Sequence, residues 1–149
     1  MRTGIGLLGR QNWQYDSDSE TLRHFSKMTR VHVALAPYMM ACIRENANGG
    51  MPVMRSMPFG FHEDQKVKGI TSQYMLGNEL LVAPVLKKGL KERTVYLPRG
   101  EWVNLWNGRG YSGGERRCAA PIGCPPVFYL RDGKHSGLFS SMTKTVCAG

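Results

Sequence analysis

Val95-Tyr96-Leu97-Pro98-Arg99-Gly100-Glu101-Trp102-Val103-Asn104-Leu105-Trp106 is the stretch on which the fold class turns. Its two ends are short and rich in β-branched and aromatic residues, the composition of a pleated, half-buried surface. A Pro-Arg-Gly triplet of the kind that makes tight turns separates them. The pattern predicts a β-hairpin, with one strand ending at Leu97 and the other running from Glu101 to Trp106. Outward from it, Val53 to Phe61, Glu79 to Val85, Arg93 to Leu97 and Pro126 to Leu130 read as further strands. Asn107-Gly108-Arg109-Gly110 reads as another turn. Short strands at such spacing predict a β-sandwich. Ser136 to Val146 reads as a short helix or a frayed end.

The character is different before residue 50. Ser17-Asp18-Ser19-Glu20 fits a capping box, in which the Ser17 hydroxyl takes an amide of the first turn and Glu20 reaches back. Leu22, Phe25, Met28, Val31 and Leu35 then recur at intervals of three or four, the spacing of one helical face. Pro37 cannot donate to the helix ladder, so a kink or a break is expected there. Tyr38, Met39, Cys42 and Ile43 continue the stripe, and Asn48-Gly49-Gly50 supplies a stop. The expected class is therefore mainly β with an N-terminal α segment. Two parts are expected, residues 1–49 and residues 50–149.

The chain has 149 residues, 42% hydrophobic and 21% charged, which is a globular mix and not a disordered one. It has no apolar run long enough for a membrane span. A net charge of +9 raises the question of nucleic acid. The densest basic run, Lys87, Lys88, Lys91 and Arg93, lacks interleaved aromatic residues, and no helix-turn-helix or zinc-finger pattern is present. Neither nucleic acid nor membrane is an expected partner. Cys42, Cys118, Cys124 and Cys147 form no C-x-x-C pair, so no metal and no cofactor is expected. Cys118 and Cys124 stand close enough to meet across a loop, though nothing demands a bond. With no signal peptide pattern at Met1 to Leu8, the expected location is the reducing cytoplasm.

No complete catalytic set emerges from spacing. Asp16, Asp18 and Glu20 are a carboxylate cluster, but capping already accounts for Asp18 and Glu20. His24, His32, His62 and His135 read as isolated. Gly4-Ile5-Gly6-Leu7-Leu8-Gly9 has the spacing of a dinucleotide loop without the preceding strand that such a loop requires. Trp13, Trp102 and Trp106 are candidates for stacking on sugar faces, and the strand pattern of Trp102 and Trp106 makes packing the default for at least one of them. That leaves a non-catalytic carbohydrate-binding or accessory β-module as an alternative.

Three stretches carry a resemblance. Asn12-Trp13-Gln14-Tyr15-Asp16-Ser17-Asp18, continued through Phe25 and on to Leu35-Ala36-Pro37-Tyr38, resembles the last loop and helix of a family 31 glycoside hydrolase barrel. Gly50-Met51-Pro52-Val53-Met54-Arg55 resembles the start of that family's first C-terminal β-domain. Gln73 to Val85, with Val95 to Val103, is very similar to the core of that domain, and Ala120-Pro121-Ile122-Gly123 and Pro125-Pro126-Val127-Phe128 extend the match. The Asn12 to Asp18 wording is most similar to bacterial α-glucosidases of the sulfoquinovosidase type.

The resemblance implies a retaining α-glycosidase with two catalytic aspartates, a nucleophile and an acid/base. Both would lie before Met1, so the chain would be inactive alone and would hold no catalytic residue. It implies residues 1–49 as the end of a truncated (β/α)₈ barrel, which needs roughly 250 residues when complete. Arg2 and Trp13 are the implied substrate contacts, for an α-glycoside bound by the full-length enzyme. The family has a sugar-binding His two residues after the Arg, and here Gly4 stands in its place. Without a barrel, the apolar helical stripe is expected to pack on the sandwich, to be exposed, or to associate with another chain.

Overall fold

The computed structural model describes Asp16 and residues 18–147. Helix α1 (Ser19–Gly49) leads into six strands: β1 (Met54–Ser56), β2 (Tyr74–Leu76), β3 (Leu80–Val82), β4 (Glu92–Asn104), β5 (Gly110–Ala119) and β6 (Val127–Leu130). A one-turn helix α2 (Met57–Gly60) follows β1, and α3 (Ser136–Met142) follows β6.

Ser17 lies outside the described residues, and the capping role falls to Asp18. Its carboxylate accepts from the Thr21 amide at 2.7 Å and from the Thr21 hydroxyl at 2.8 Å. Gly50 closes the other end with φ at 69°, its amide donating to the Asn46 carbonyl at 2.8 Å. Pro37 does not break the helix. The carbonyl it frees belongs to Val33, on the exposed side, where water can take it.

The strands form one antiparallel sheet in the order β1-β2-β3-β6-β4-β5. The expected hairpin across Pro98-Arg99-Gly100 is corrected: β4 runs straight through that triplet as a single strand. A register shift against β5 lies between Leu97 and Glu101. The triplet is a bulge and not a turn; an irregular register bends a strand without ending it. Pro98 presses its carbonyl on Gly113, where a Cβ would stand 2.8 Å from the oxygen, so β5 needs glycine there. The hairpin turn is the next one, Leu105 to Arg109, with Gly108 at φ 70°.

Beyond the bulge the sheet curls. The first half of β4 returns over β2, where Gln73 donates to the Tyr96 carbonyl at 2.6 Å and accepts from its amide at 3.0 Å. One bent sheet thus takes the place of the two packed sheets expected of a sandwich. Its concave side encloses Met75, Leu81, Val95, Leu97, Trp102, Cys118 and Phe128. Its other side presents Leu80, Val103, Val127 and Tyr129 to Val31, Tyr38 and Cys42 of α1 and to Phe139 and Met142 of α3. Alternation along β3 and β6 sorts the two cores, since neighbouring strand residues face opposite ways.

The strand predicted over Val53 to Phe61 shrinks to three residues, because Pro58 opens α2. Cys42, Cys118 and Cys124 are free thiols, so the loop bond does not form.

Candidate functional site

Two buried polar knots fasten α1 to the sheet, and they are the best organised chemistry among the described residues. The first centres on Tyr38, which is 2% exposed. Its hydroxyl donates to the Leu76 carbonyl at 2.6 Å and accepts from the Glu79 amide at 3.1 Å. Burial pushes that hydroxyl well above the ordinary tyrosine range, and it raises the neighbouring Cys42 thiol too. Gly77, at φ 62°, lets the turn come this close: a Cβ there would collide with the Tyr38 oxygen.

Glu79 continues the knot. Its carboxylate accepts from the His135 amide at 2.8 Å and meets Nδ1 of the His135 ring at 2.7 Å. The Tyr38 ring stands edge-on to both His135 and Phe139, at 5.0 Å each. Gly133 leaves the space that the Glu79 carboxylate fills. The arrangement satisfies a buried carboxylate and pins the start of α3 to β3.

The second knot surrounds Arg55, which is 3% exposed. Its Nε donates to the Pro52 carbonyl at 2.6 Å, one terminal nitrogen bonds Asn78, and the other meets Glu45 at 2.9 Å. Asn78 also donates to Glu45 at 3.2 Å. The last turns of α1, strand β1 and the β2–β3 turn are thereby tied at one guanidinium. These bonds commit Arg55, Glu45 and Glu79 to holding α1, β1 and α3 together.

The residues singled out from sequence fall as follows. Arg2, Gly4 and Trp13 lie outside the described residues. Asp16 is exposed in a turn, and Asp18 is spent on the helix cap. His24, His32 and His62 are exposed. His135, read as isolated, is in the Glu79 knot; the two residues are 56 positions apart, and no local pattern announces them. Trp102 is fully buried and donates to the Pro98 carbonyl at 2.8 Å, so it offers no sugar platform. Trp106 is half-buried, donates to the Pro125 carbonyl at 2.5 Å and carries Lys27 over its ring at 5.8 Å. The carbohydrate-binding alternative therefore loses Trp102 outright.

Two more carboxylates are engaged. Asp64 accepts from the Lys66 amide at 3.0 Å and from the Tyr96 hydroxyl at 2.6 Å, and that bond pushes Tyr96 up to about 12. Glu92 pairs with Arg117 at 2.6 Å. Among the described residues no group of three or more His, Cys, Asp or Glu could hold a metal. Retaining glycoside hydrolysis needs a carboxyl pair free to reach the sugar, and Asp18, Asp64, Glu79 and Glu92 are each committed to contacts within the fold.

One further feature bears on function. Leu22, Phe25, Val33, Met40 and Ile43 are all exposed, Val33 at 65%. At helical spacing they share one face of α1, opposite Val31, Tyr38 and Cys42. The single stripe read from sequence is thus two. Met28, Val31 and Leu35 dock on the sheet, whereas Leu22 and Phe25 belong to the exposed face.

The description "Glycosyl hydrolase family 31 C-terminal domain" matches residues 50–134. The sulfoquinovosidase of Escherichia coli (strain K12) is 43% identical over 142 residues, 95% of this chain but 21% of that protein. That of Agrobacterium fabrum is 40% identical over 144 residues, 95% of this chain and 22% of the relative. Among solved structures, a family 31 sulfoquinovosidase from E. rectale, in complex with an aza-sugar inhibitor, superposes with a TM-score of 0.84. It is 35% identical and covers 89% of this chain and 20% of its own. A family 31 α-xylosidase from a soil metagenome, complexed with xylose, gives 0.83 at 31% identity over 93% of this chain and 21% of its own. The chain spans about a fifth of the length of the relatives it matches.

Proposed function

The chain belongs to glycosyl hydrolase family 31, and on that premise we propose that it is the carboxy-terminal part of a retaining α-glycosidase that hydrolyses O-glycosyl bonds. Residues 1–49 form the last loop and helix of its barrel, and residues 50–149 its β-domain. The catalytic aspartates belong to the rest of the barrel, so the 149-residue chain alone does not turn over substrate. The names of the relatives support an α-glycoside of a sulfonated glucose as the substrate. Arg2 and Trp13 are the substrate contacts this part contributes, without the family's His, which Gly4 replaces.

The observation that carries this reading is the second apolar face of α1. A helix at the surface of a finished molecule has one apolar stripe and one polar face. Here Leu22, Val33, Met40 and Ile43 are apolar and unburied on the side away from the sheet. The last helix of a barrel has that requirement, since it touches the β-domain on one side and the barrel on the other.

A chimaera tests it. The corresponding fifth of the E. coli sulfoquinovosidase is replaced by this chain, and hydrolysis of an aryl α-sulfoquinovoside is followed. The expected result is an active chimaera that Val33→Asp inactivates, with no turnover by the isolated chain. Turnover by the isolated chain, or a chimaera indifferent to Val33→Asp, overturns the proposal. No described helix is long and apolar enough to cross a membrane.

A further inference from the structure

The basic run at Lys87, Lys88 and Lys91 plays no part in the glycosidase reading, yet its surroundings are specific. The loop that carries it forms one wall of an open cleft of about 900 Å³. Val85, Leu86 and Leu90 line that wall, and Ala120, Ile122 and Pro125 line the other. The volume lies in the range of small-molecule sites. The lining is apolar except at the lysines, and it contains no Asp or Glu. None of the three ammonium groups has an ion-pair partner among the described residues.

The walls are held in place from behind. The Ala120 amide donates to the Lys91 carbonyl at 2.7 Å, and the Ala83 amide to the Pro126 carbonyl at 2.9 Å. The Arg93 guanidinium bonds the Pro84 carbonyl and reaches the Ser72 hydroxyl at 2.9 Å. Trp106 holds Pro125. Leu86, Leu90 and Ile122 are nonetheless exposed, Ile122 completely. A cleft with three exposed large aliphatic side chains on its walls and three unpaired lysines on its loop matches a ligand that is apolar at one end and anionic at the other.

We propose that this cleft binds an amphiphilic organic anion, a compact alkyl or aryl body carrying one sulfonate, sulfate or carboxylate head. The body covers Leu86, Leu90 and Ile122, and the head lies among Lys87, Lys88 and Lys91. Both halves of the ligand are required. A neutral sugar finds no planar polar side chain or carboxylate in the lining, and nucleic acid finds no aromatic ring to stack on. The glycosidase reading is not a premise of this site, and its test reads binding and not turnover.

The test is an NMR titration of the full chain with octane-1-sulfonate below its micelle concentration. Octan-1-ol serves as the body alone and methanesulfonate as the head alone. The expected result is saturable shifts confined to the backbone amides of the non-proline residues in 84–91 and 119–125. Each half-ligand binds at least tenfold more weakly. The triple substitution Lys87→Gln, Lys88→Gln, Lys91→Gln lowers affinity at least tenfold, and so does Ile122→Ser. Octanol binding as well as octanesulfonate would mean a bare apolar patch awaiting polypeptide, and overturns the proposal. Methanesulfonate binding equally well, shifts centred on the outer face of α1, or affinity unchanged by the triple substitution overturn it as well.

Discussion

Viewed down its axis, α1 sets Val31, Tyr38 and Cys42 against Leu22, Val33 and Met40. The first group is buried on the sheet and the second stands in solvent. Both faces are apolar, so hydrophobicity alone does not distinguish them. The difference is polar: Tyr38 and, at the helix end, Glu45 carry hydrogen bonds to Leu76, Glu79, Asn78 and Arg55 that work in one orientation only. Apolar burial contributes roughly 1.5–3 kcal/mol per large side chain without fixing a pose. The knots fix the pose. The exposed apolar residues of the outer face carry no such directional groups, and a partner would be held on them by shape and area.

The largest expected effect comes from removing the close approach that the docked face depends on. Gly77→Ala forces a side chain into a φ of 62° and drives its Cβ onto Tyr38 and Cys42. Strain and collision together should cost roughly 3 kcal/mol or more. Denaturant unfolding measures this, and labelling of the Cys42 thiol should accelerate as α1 lifts. Stability equal to the parent would show that the docked face is far looser than described, and the contrast between faces would collapse.

Tyr38→Phe is milder, because the ring and its packing stay. It strands the Glu79 amide and the Leu76 carbonyl, at a cost of about 1–3 kcal/mol. The pH dependence carries a second signature. Burial raises the Tyr38 hydroxyl in the folded state, so its contribution is complete below the unfolded value of 10.0. It is lost as pH climbs from there toward the raised folded value. The parent should therefore lose stability above pH 10 more steeply than Tyr38→Phe. Parallel alkaline curves would show that the hydroxyl is not held in the folded molecule as described.

These elements were legible in the sequence to unequal degrees, for physical reasons. The helix could be read from its spacing, and its end from Gly49-Gly50. Its two-sidedness could not, since Leu22 and Val31 obey the same three-or-four rule and only contacts separate them. Pro98-Arg99-Gly100 satisfies every rule for a turn, and what makes it a bulge is the Gly113-Gly114 pair on a strand not yet paired. Strand β5 itself, GYSGGERRCA, hides behind glycine and charge, as an edge strand with one buried residue does. The Glu79–His135 knot joins distant positions, which periodicity does not detect. Family wording, by contrast, was visible in Gln73 to Val85, a stretch that supplies both cores, with Met75, Leu81 and Ala83 on the concave side and Leu80 on the helix side.

The outer face should give a much smaller effect on the chain itself. Val33→Asp puts a charge where water already is, and thermal unfolding should move by no more than about 0.5 kcal/mol equivalent. The same substitution is expected to abolish activity in the chimaera. That split, indifferent alone and decisive in the whole, is what separates a face awaiting a partner from an ordinary surface. A strong destabilisation of the isolated chain would mean that Val33 already packs on something in this chain.

The smallest effect belongs to a residue that serves neither face. Asp18 caps the helix and is fully exposed, and the Thr21 amide holds its carboxyl below the usual 3.8. A lowered folded value means that the cap contributes fully above that pH and fades as pH falls through the folded value. Asp18→Asn keeps an acceptor for the amide but removes the charge that favours a helix N-terminus. The parent and Asp18→Asn should therefore converge in helicity once pH falls through the lowered folded value, while at pH 7 the parent is slightly more helical. Because the cap lies beyond both stripes, the substitution should leave Cys42 labelling and chimaera activity untouched. A change in either would mean that the first turn of α1 takes part in docking, and the division into two faces would have to start one turn earlier.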